Sequence, residues 1–360
     1  MPPLSPSTFL AVGGARAALA ALDATAQQLT NPTLFRQPAL RREAQSTSAL
    51  EGTYVPLQEV LTADERTPAT PELLEVFNYV AAAEHAFAWL ASGRPLTVGL
   101  ICDIQARLVR GTSSDTRSAG QVRDVQVVLG SHPGEPVTMA RFIPQPPGDD
   151  LWRALVEVLD WVAAPTTAST FDPVVAAAMA HYQFETIHPF NDGNGRIGRL
   201  LVVLQLHQLG VLTEPTLTVS PWFEARRQAY YDRLTNVSAD SAWNEWVRFF
   251  AEGLHESAVA TRAQMLALVE VQGDLKQIVR ASKLRADTAH AVIDFAVANL
   301  EFSVVDVQQA IGVTYPRANK LIGDLVDLGV LRQLRFESRY ARRFYAPRVI
   351  DVITGQAASQ

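Results

Sequence analysis

A twelve-residue stretch of the chain, HPFNDGNGRIGR at 188–199, combines residue types that suit phosphate chemistry. Its glycines free the backbone between two predicted helices, so that successive N–H groups can point into one concavity and bind an anion. Because Gly195 opens the second predicted helix, the positive end of that helix dipole lies at the same place. The loop therefore predicts a binding site for a phosphate chain.

Charged side chains in this stretch supply the rest of the chemistry. Arg196 and Arg199 lie about one turn apart at the helix start, where both can donate forked hydrogen bonds to phosphate oxygens. Asp192 is a candidate ligand for Mg²⁺, which usually takes one or two carboxylates and leaves its other positions to substrate and water. His188, as a neutral imidazole near pH 7, can accept the proton of a hydroxyl that attacks phosphorus. Each feature alone also fits an ordinary turn or helix end, but their combination favours transfer at a phosphate.

The same stretch resembles the signature of the Fic family, H-x-F-x-[D/E]-G-N-G-R-x-x-R. Every fixed position is filled, by His188, Phe190, Asp192, Gly193, Asn194, Gly195, Arg196 and Arg199. The resemblance implies an all-helical domain that transfers AMP from Mg-ATP to a hydroxyl side chain of a protein. It implies His188 as the general base, Asp192 as the Mg²⁺ ligand, residues 193–195 as the phosphate nest and the two arginines as phosphate clamps. Phe190 is expected to be a buried anchor of the loop.

A second motif, TSALEG at 47–52, is similar to the inhibitory motif [S/T]-x-x-x-E-[G/N] of self-restrained Fic proteins. A carboxylate brought to Arg199 would pair with the guanidinium expected to hold the γ-phosphate, so that ATP could not bind with its α-phosphorus in line. Glu51 is the predicted inhibitory residue, and an ordinary glutamate on a helix surface is the alternative. The residues before it, 46–49, predict a helix or a helix start.

Two features border the predicted nucleotide. The segment 230–234 is similar to one beside the nucleotide in Fic proteins, so Tyr231 is predicted to contact adenosine, with a place in the core as the alternative; Asn236 and Ser238 are weaker candidates. Residues 121–146 alternate Val and polar residues around a Pro/Gly turn, which predicts a β-hairpin. This hairpin resembles the Fic flap, over which a target segment pairs as an added strand, although a purely structural hairpin fits the same pattern. The complete nucleotide-binding prediction comprises Glu51, His188, Gly193, Asn194, Gly195, Arg196, Ile197, Gly198, Arg199 and Tyr231.

Helical periodicity predicts the elements that must position the loop. Predicted helices span 71–91, 96–110, 151–162, 173–187, 195–209, 224–237 and 241–273. An Ala-rich helix is expected at 15–29, with Asp23, Gln27 and Gln28 on its outer side. His181 is expected to be a core or helix-face histidine, because no Cys or Glu at zinc spacing accompanies it.

Past residue 280 the pattern predicts a helix, a helix-turn-helix and a two-stranded wing, which together make a winged helix. Thr314 is the predicted N-cap of the second helix, whose leading turns carry Tyr315, Arg317, Asn319 and Lys320. The predicted wing carries Arg332, Arg335, Arg339, Arg342 and Arg343. Such a basic stripe can contact DNA phosphates, but winged helices also dock proteins.

Composition limits the class of protein. A length of 360 residues predicts two or three domains, here drawn at 1–95, 96–280 and 281–360. The net charge of −6 argues against nucleic-acid binding over the whole surface but allows a local basic patch. A lone cysteine, Cys102, no basic leader and no apolar run of 18 residues predict a cytoplasmic protein that uses no membrane.

These observations predict a mainly α protein: an all-helical Fic domain with one β-hairpin flap, followed by a winged helix-turn-helix domain. The leading hypothesis is an autoinhibited protein adenylyltransferase that uses ATP and Mg²⁺ and modifies a Ser, Thr or Tyr hydroxyl of a protein, the chain itself included. One alternative is a DNA-binding regulator with a nucleotide-sensing Fic domain. Another alternative is an enzyme that removes AMP from a modified protein at the same site. The sequence is also compatible with a homodimer.

Overall fold

The computed structural model describes residues 3–29, 31–129, 140–164, 170–284, 286–334 and 342–356. Two predicted features lie partly outside these ranges: the predicted hairpin, at its tip 130–139, and the predicted wing, at Arg335 and Arg339.

Helices dominate the described chain, as predicted. The N-terminal half contains α1 (Pro6–Gln28), a short 3₁₀ turn (Pro32–Phe35), α2 (Arg36–Leu50), α3 (Leu57–Thr62), α4 (Pro71–Ala91), α5 (Val98–Val109) and α6 (Asp149–Ala163). The central part contains α7 (Pro173–Ile187), α8 (Asn194–Gln208), α9 (Ser220–Ala225), α10 (Arg227–Asp240) and α11 (Trp243–Arg280). The C-terminal part contains α12 (Ala286–Ala298), β1 (Phe302–Ser303), α13 (Val304–Ile311), α14 (Tyr315–Asp327), β2 (Arg332–Gln333), β3 (Arg343–Tyr345) and α15 (Pro347–Thr354).

Side-chain caps explain why several helices begin where the sequence predicts. Thr70 accepts a hydrogen bond from the N–H of Leu73 at 3.2 Å before α4, and Asp172 accepts one from Val174 at 2.8 Å before α7. In both helices proline follows the cap, where its missing N–H costs no intrahelical bond. The predicted bounds 71–91 and 173–187 are confirmed.

The helix α8 lies between two hydrophobic cores, which buries it on all sides. Leu200 and Leu204 belong to the core formed with α4, α5 and α6, whereas Val202 and Leu206 belong to the core formed with α1, α7 and α11. The 188–193 loop enters this helix directly. Its position is therefore set by both cores at once.

The N-terminal helix α1 is long and apolar enough, by length and composition alone, to cross a membrane. Core helices share these properties. In the structure Leu19 and Leu22 are fully buried, and α1 lies along α11, with a hydrogen bond of 2.8 Å from Arg262 Nε to Thr25 Oγ1. This helix therefore contributes one wall of the core around α7.

The helix prediction for 46–49 is confirmed, but these residues end a helix and do not start one. They form the last turn of α2, and Glu51 is its C-cap. Gly52 follows with a φ of 100° and donates its N–H to Ala49 O at 3.1 Å. A glycine in this conformation satisfies a terminal carbonyl and stops the helix. Glu51 is thus placed at a helix end, where its side chain can reach another element.

The predicted hairpin at 121–146 is largely irregular where it is described. Leu129 and Phe142 form an antiparallel bridge, with N–H···O distances of 2.9 and 3.1 Å, and no strand is assigned in the rest of 121–129 and 140–146. The buried side chain of Arg123 explains this, because it donates to the carbonyls of Val125 and Gln145 that strand pairing would otherwise use. The expected hairpin is therefore reduced to one bridge in this part of the chain.

The C-terminal part combines α12, α13 and α14 with an antiparallel sheet in the order β1-β3-β2. Phe302 lies opposite Phe344, and Arg332 lies opposite Tyr345. Thr314 occupies the N-cap position of α14, as predicted, but its side chain makes no capping hydrogen bond. This part contacts α2, because Arg42 Nη1 of α2 donates to Ile353 O at 2.6 Å.

The expected basic stripe on the wing is wrong for Arg343. Its guanidinium is turned inward to the buried carboxylate of Glu301 and lies 3.2 Å from Asp64 Oδ1. Arg342 donates to Asn319 Oδ1, whereas Arg332 is exposed. The sequence pattern places Arg343 on the outer surface, but in the structure it is paired with Glu301 and Asp64.

Candidate active site

His188 lies where α7 ends, in a left-handed backbone conformation with φ of 49°. This conformation is uncommon for a side chain other than glycine, and here it ends the helix. The His188 carbonyl accepts a hydrogen bond from Arg123 Nε at 2.8 Å, and the ring Nδ1 lies 3.3 Å from Glu185 O. If Nδ1 carries the proton donated to that carbonyl, the lone pair is left on Nε2.

The electrostatic surroundings keep the His188 imidazole neutral. Burial lowers its pKa to about 4, although Glu51 and the carbonyl of Glu185 act in the opposite direction. A neutral imidazole at pH 7 can accept a proton. The residue therefore has the protonation state that a general base requires.

The loop between α7 and α8 is closed by its own side chains. Phe190 is fully buried, as expected, and exchanges two hydrogen bonds with the Asn194 side chain, at 2.9 and 2.7 Å. Gln105 Nε2 donates to Asp192 O at 3.1 Å from α5. Gly193 adopts φ of 87° and precedes the first turn of α8. Since the Asn194 amide is used within the loop, what remains for an anion here is the backbone N–H groups of the helix start.

Asp192 and Arg196 form an ion pair at the edge of the loop. Arg196 Nη2 lies 3.1 Å from Asp192 Oδ1, and Arg196 Nη1 lies 3.7 Å from Glu75 Oε2. Burial alone would raise the pKa of Asp192, but Arg196, Ser114 and the N–H of Gly193 hold it below its usual value. Asp192 is thus an ionised and half-exposed carboxylate, which suits a hard cation such as Mg²⁺. Among the described residues no group of three or more His, Cys, Asp or Glu lies close enough to hold a metal ion without further ligands.

Arg199 is fully buried and bound by the end of α2. Its Nε donates to Thr47 Oγ1 at 2.7 Å, and its Nη2 donates to Thr47 O at 3.1 Å and to Glu51 Oε1 at 2.5 Å. Thr47 and Glu51 are four residues apart at the end of the helix and therefore lie on the same face. The carboxylate also lies so close to Gly195 that a Cβ there would overlap it. Glu51 thus occupies the space directly in front of the start of α8.

These residues border a cavity of about 260 Å³. Of the predicted nucleotide-binding set, Glu51, His188, Gly195, Arg199 and Tyr231 line it. The cavity is also lined by Glu185, Ser238 and the bridge residues Leu129 and Phe142. Its described lining does not include Asp192, Gly193, Asn194, Arg196, Ile197 or Gly198, which lie along the loop and the buried side of α8. The weaker candidate Asn236 is also outside this lining.

The two tyrosines of 230–234 take different places. Tyr231 is partly buried, lines the cavity and donates its hydroxyl to Leu50 O at 3.2 Å. Tyr230 lies in the core and binds His181 Nε2 at 2.7 Å, while His181 Nδ1 lies 2.9 Å from Gly198 O. His181 is a buried core residue, in agreement with the sequence interpretation.

Sequence reasoning assigned no role to two residues at this site. Arg123 links the 121–146 segment to the loop through the carbonyls of Ile187 and His188. Nothing in its sequence context distinguishes it from a surface arginine. Glu185 lines the cavity and precedes His188 by three residues, a spacing that places both on one helix face. This spacing could have identified Glu185 from the sequence as a residue near His188.

Comparison with known proteins matches two regions of the chain to one family, and one of these regions contains the loop 188–199. The Fic/DOC family model matches residues 95–206, and the model of the Fic/DOC N-terminal region matches residues 9–88. Protein adenylyltransferase fic-1 of Caenorhabditis elegans is 37% identical over 98 residues, which are 27% of this chain and 17% of that protein. Protein adenylyltransferase Fic of Aedes aegypti is 32% identical over 179 residues, which are 49% of this chain and 32% of that protein. The chain thus matches only a part of each relative.

Solved structures show the same fold. A Fic family protein from Desulfovibrio desulfuricans G20 has a TM-score of 0.59 at 22% identity, over 96% of this chain and 97% of that chain. A fragment of Fic-1 from Caenorhabditis elegans has a TM-score of 0.54 at 22% identity, over 71% and 72% of the two chains. With the complete loop signature and both matched regions, this protein belongs to the Fic/DOC family.

Proposed function

We propose that this protein transfers AMP from ATP to a hydroxyl side chain of a protein and that Glu51 restrains the reaction. The observation that carries this proposal is the cavity in which His188, the start of α8 and Arg199 meet the carboxylate of Glu51. The names of the two relatives, both protein adenylyltransferases, support the reaction. The substrates are then ATP and a protein Ser, Thr or Tyr, on a partner or on the chain itself, and the single cysteine supports a cytoplasmic location.

The reaction follows from the positions of the groups. The hydroxyl oxygen of the target attacks the α-phosphorus, and its proton passes to Nε2 of His188. The bond between the α-phosphorus and the bridging oxygen breaks, and pyrophosphate leaves. Backbone N–H groups at the start of α8, together with Arg199, would stabilise the charge on the phosphate oxygens.

Asp192 is the residue that would hold Mg²⁺. Its carboxylate is ionised and half-exposed, and Arg196 and the N–H of Gly193 orient it. Bound Mg²⁺ would neutralise charge on the phosphate chain. The role of Arg196 is then to position Asp192 as much as to bind phosphate.

Glu51 would restrain the enzyme by competing for Arg199. Its carboxylate occupies both the guanidinium and the space in front of Gly195, where a phosphate would bind. The triphosphate would therefore bind in a shifted position, with its α-phosphorus away from His188. Release requires that the Glu51 side chain leaves Arg199, and Glu51 is the C-cap of α2, so this change leaves the bonds of Thr47 to the guanidinium in place.

The test replaces Glu51 by Gly and follows incorporation of labelled AMP from α-labelled ATP. A charge-assisted hydrogen bond contributes about 1.5–3 kcal/mol, so we expect a gain of about ten- to a hundredfold. Thr47→Ser is the matched control, because it keeps the helix end and the hydroxyl that binds Arg199. An unchanged rate in the Glu51→Gly variant would reject restraint by Glu51. If that variant instead loses the ability to remove AMP from a modified protein, Glu51 positions a water and the reaction runs in the opposite direction.

A second function, DNA binding by a winged helix, is supported by the exposed side of α14. Tyr315, Arg317 and Lys320 are solvent-exposed on its first turns. A helix that presents basic residues at its N-terminal turns can contact the phosphates of a major groove. Binding of the full chain to duplex DNA at two salt concentrations tests this, since phosphate contacts weaken steeply with salt. Salt-independent or absent binding would leave protein docking, including a homodimer, as the role of this part.

A further inference from the structure

Glu185 is a buried carboxyl group that the proposed reaction does not use. It lies on the last turn of α7, lines the cavity and is 14% exposed at its side chain. Its Oε1 is buried, and none of the described residues donates a hydrogen bond to it. A carboxylate in this position would lack compensation on one oxygen. The protonation state of Glu185 must therefore depend on the charges around it.

Two glycines of α8 make room for two carboxyl groups. A side chain at Gly195 would overlap Glu51, and a side chain at Gly198 would overlap Oε1 of Glu185. The end of α2 thus brings one carboxyl group, and α7 a second, to the part of α8 that carries Arg199, and all three side chains line the same cavity.

The histidines and tyrosines that face Glu185 are neutral. His181 Nε2 lies 4.0 Å from Oε1, but its ring nitrogens are occupied, and burial lowers its pKa to about 3. Burial likewise lowers the pKa of His188 to about 4. From α10, burial raises the pKa of Tyr231 to about 12 and that of Tyr230 further still.

Two other arginines line the cavity, but Arg141 is paired with Asp232 and Arg227 donates to the hydroxyl of Tyr54. Arg199 and Glu51 are the charged groups that act on Glu185. Burial raises the pKa of Glu185 to about 7, Arg199 opposes this rise and Glu51 adds to it. Removing the negative charge of Glu51 should lower the pKa of Glu185, because the positive charge of Arg199 is then no longer neutralised by Glu51. Any other anion in front of Arg199 should raise the pKa again.

We propose that Glu185 is a further residue of the anion site: its carboxyl binds a proton more readily when an anion lies against Arg199, whether Glu51 or the phosphate chain of a nucleotide, and ionises more readily when that position is empty. The nucleotide half of this inference rests on the proposed function. A neutral Glu185 has an O–H group to donate to a phosphate oxygen. Its proton comes from solvent, so binding of a nucleotide to the vacated site consumes a fraction of one proton.

The first test uses no nucleotide. Carbon-13 NMR of the full chain with labelled glutamate carboxyls, assigned by loss of a resonance in Glu185→Gln, follows the titration of Glu185. We expect its midpoint near pH 7 in the unsubstituted chain and about one pH unit lower in Glu51→Gly, as for a carboxyl that gains a cationic partner. An equal midpoint in both chains would overturn the proposal.

The second test measures proton uptake when Mg-ATP binds to the Glu51→Gly chain. Calorimetry in buffers of different ionisation enthalpy at pH 7.5 gives the number of protons taken up. The matched control is Glu51→Gly with Glu185→Gln, which keeps the size and a donor N–H and subtracts any protons that ATP itself exchanges. We expect both chains to bind Mg-ATP and uptake to be lost in the control; equal uptake in the two chains would overturn the proposal.

The two tests separate this inference from the proposed reaction. A titration shift and a Glu185-dependent uptake without AMP transfer would reject the reaction and keep the anion site. AMP transfer without the titration shift or the proton uptake would keep the reaction and reject the role of Glu185 in the anion site.

Discussion

Arginines in two regions of the molecule were both assigned to phosphates, and the structure treats them differently. Arg199 is fully buried, yet it lines the cavity, because Thr47 holds two of its nitrogens in place. Arg343 is also mostly buried, but its guanidinium is consumed by Glu301, Asp64 and Asp306. An arginine can bind an anion only if its guanidinium is not already paired with carboxylates that the fold holds in place.

The difference has an energetic meaning. Arg199 is oriented by the hydroxyl and carbonyl oxygens of Thr47, and in the proposed mechanism the carboxylate of Glu51 is the partner that a phosphate replaces. In the C-terminal part, Arg343 is paired with three carboxylates, those of Glu301, Asp64 and Asp306. A site that must exchange one anion for another needs the first arrangement, whereas a joint between elements needs the second.

The largest expected effect tests the functional side of this comparison. In the Glu51→Gly background, replacing His188 by Ala should lower AMP transfer by about a hundredfold to ten-thousandfold, because the general base is lost. Binding of Mg-ATP should change little, since Arg199 and the start of α8 remain. Transfer and binding are measured on the same preparation. Transfer that persists would show that another group accepts the proton.

The next effect tests the structural side. Replacing Arg343 by Ala leaves the buried carboxylate of Glu301 without its cation, which should lower the free energy of unfolding by about 3 kcal/mol. Replacing the exposed Arg332 by Ala should change it by less than about 0.5 kcal/mol. Urea unfolding of both variants measures the contrast. Equal stabilities would mean that Arg343 is free in solution, as the wing prediction had it.

The pH dependence of transfer should reveal the burial of His188. Its pKa is lowered to about 4, so the base form persists as the pH falls from 7 and is lost only as the pH passes through about 4. Transfer by the Glu51→Gly chain should therefore remain within about twofold between pH 7 and pH 5.5. A half-loss near pH 6.5, the ordinary value for histidine, would contradict a buried base.

The smallest effect concerns the exposed residues of α14. Replacing Arg317 by Ala should weaken DNA binding and reduce the slope of its salt dependence by about one counterion. The stability should stay within about 0.5 kcal/mol, since the side chain is exposed. Arg332→Ala serves as a second exposed substitution outside α14. An unchanged slope would remove Arg317 from any DNA contact.

Much of the fold was readable because its signals are local. Proline after Thr70 or Asp172, with apolar residues at helical spacing, was enough to place α4 and α7. The hairpin was less readable, because Arg123 takes backbone carbonyls that only a three-dimensional neighbour could claim. The segment 46–49 was predicted as a helix or a helix start, and the helix is confirmed. That the helix ends there was not predicted, because the φ of Gly52 depends on the folded backbone.

The sequence by itself determined the loop, since eight residues at fixed spacing specify a glycine turn, a helix start, a histidine and two arginines. Only the tertiary structure decided which of these groups meet. Arg196 turned to Asp192, Arg199 turned to Thr47 and Glu51, and Arg343 left the surface for Glu301. The reason is physical: helix starts and turns depend on interactions within a few residues, whereas the partner of a long charged side chain is whichever acceptor the distant packing brings within reach.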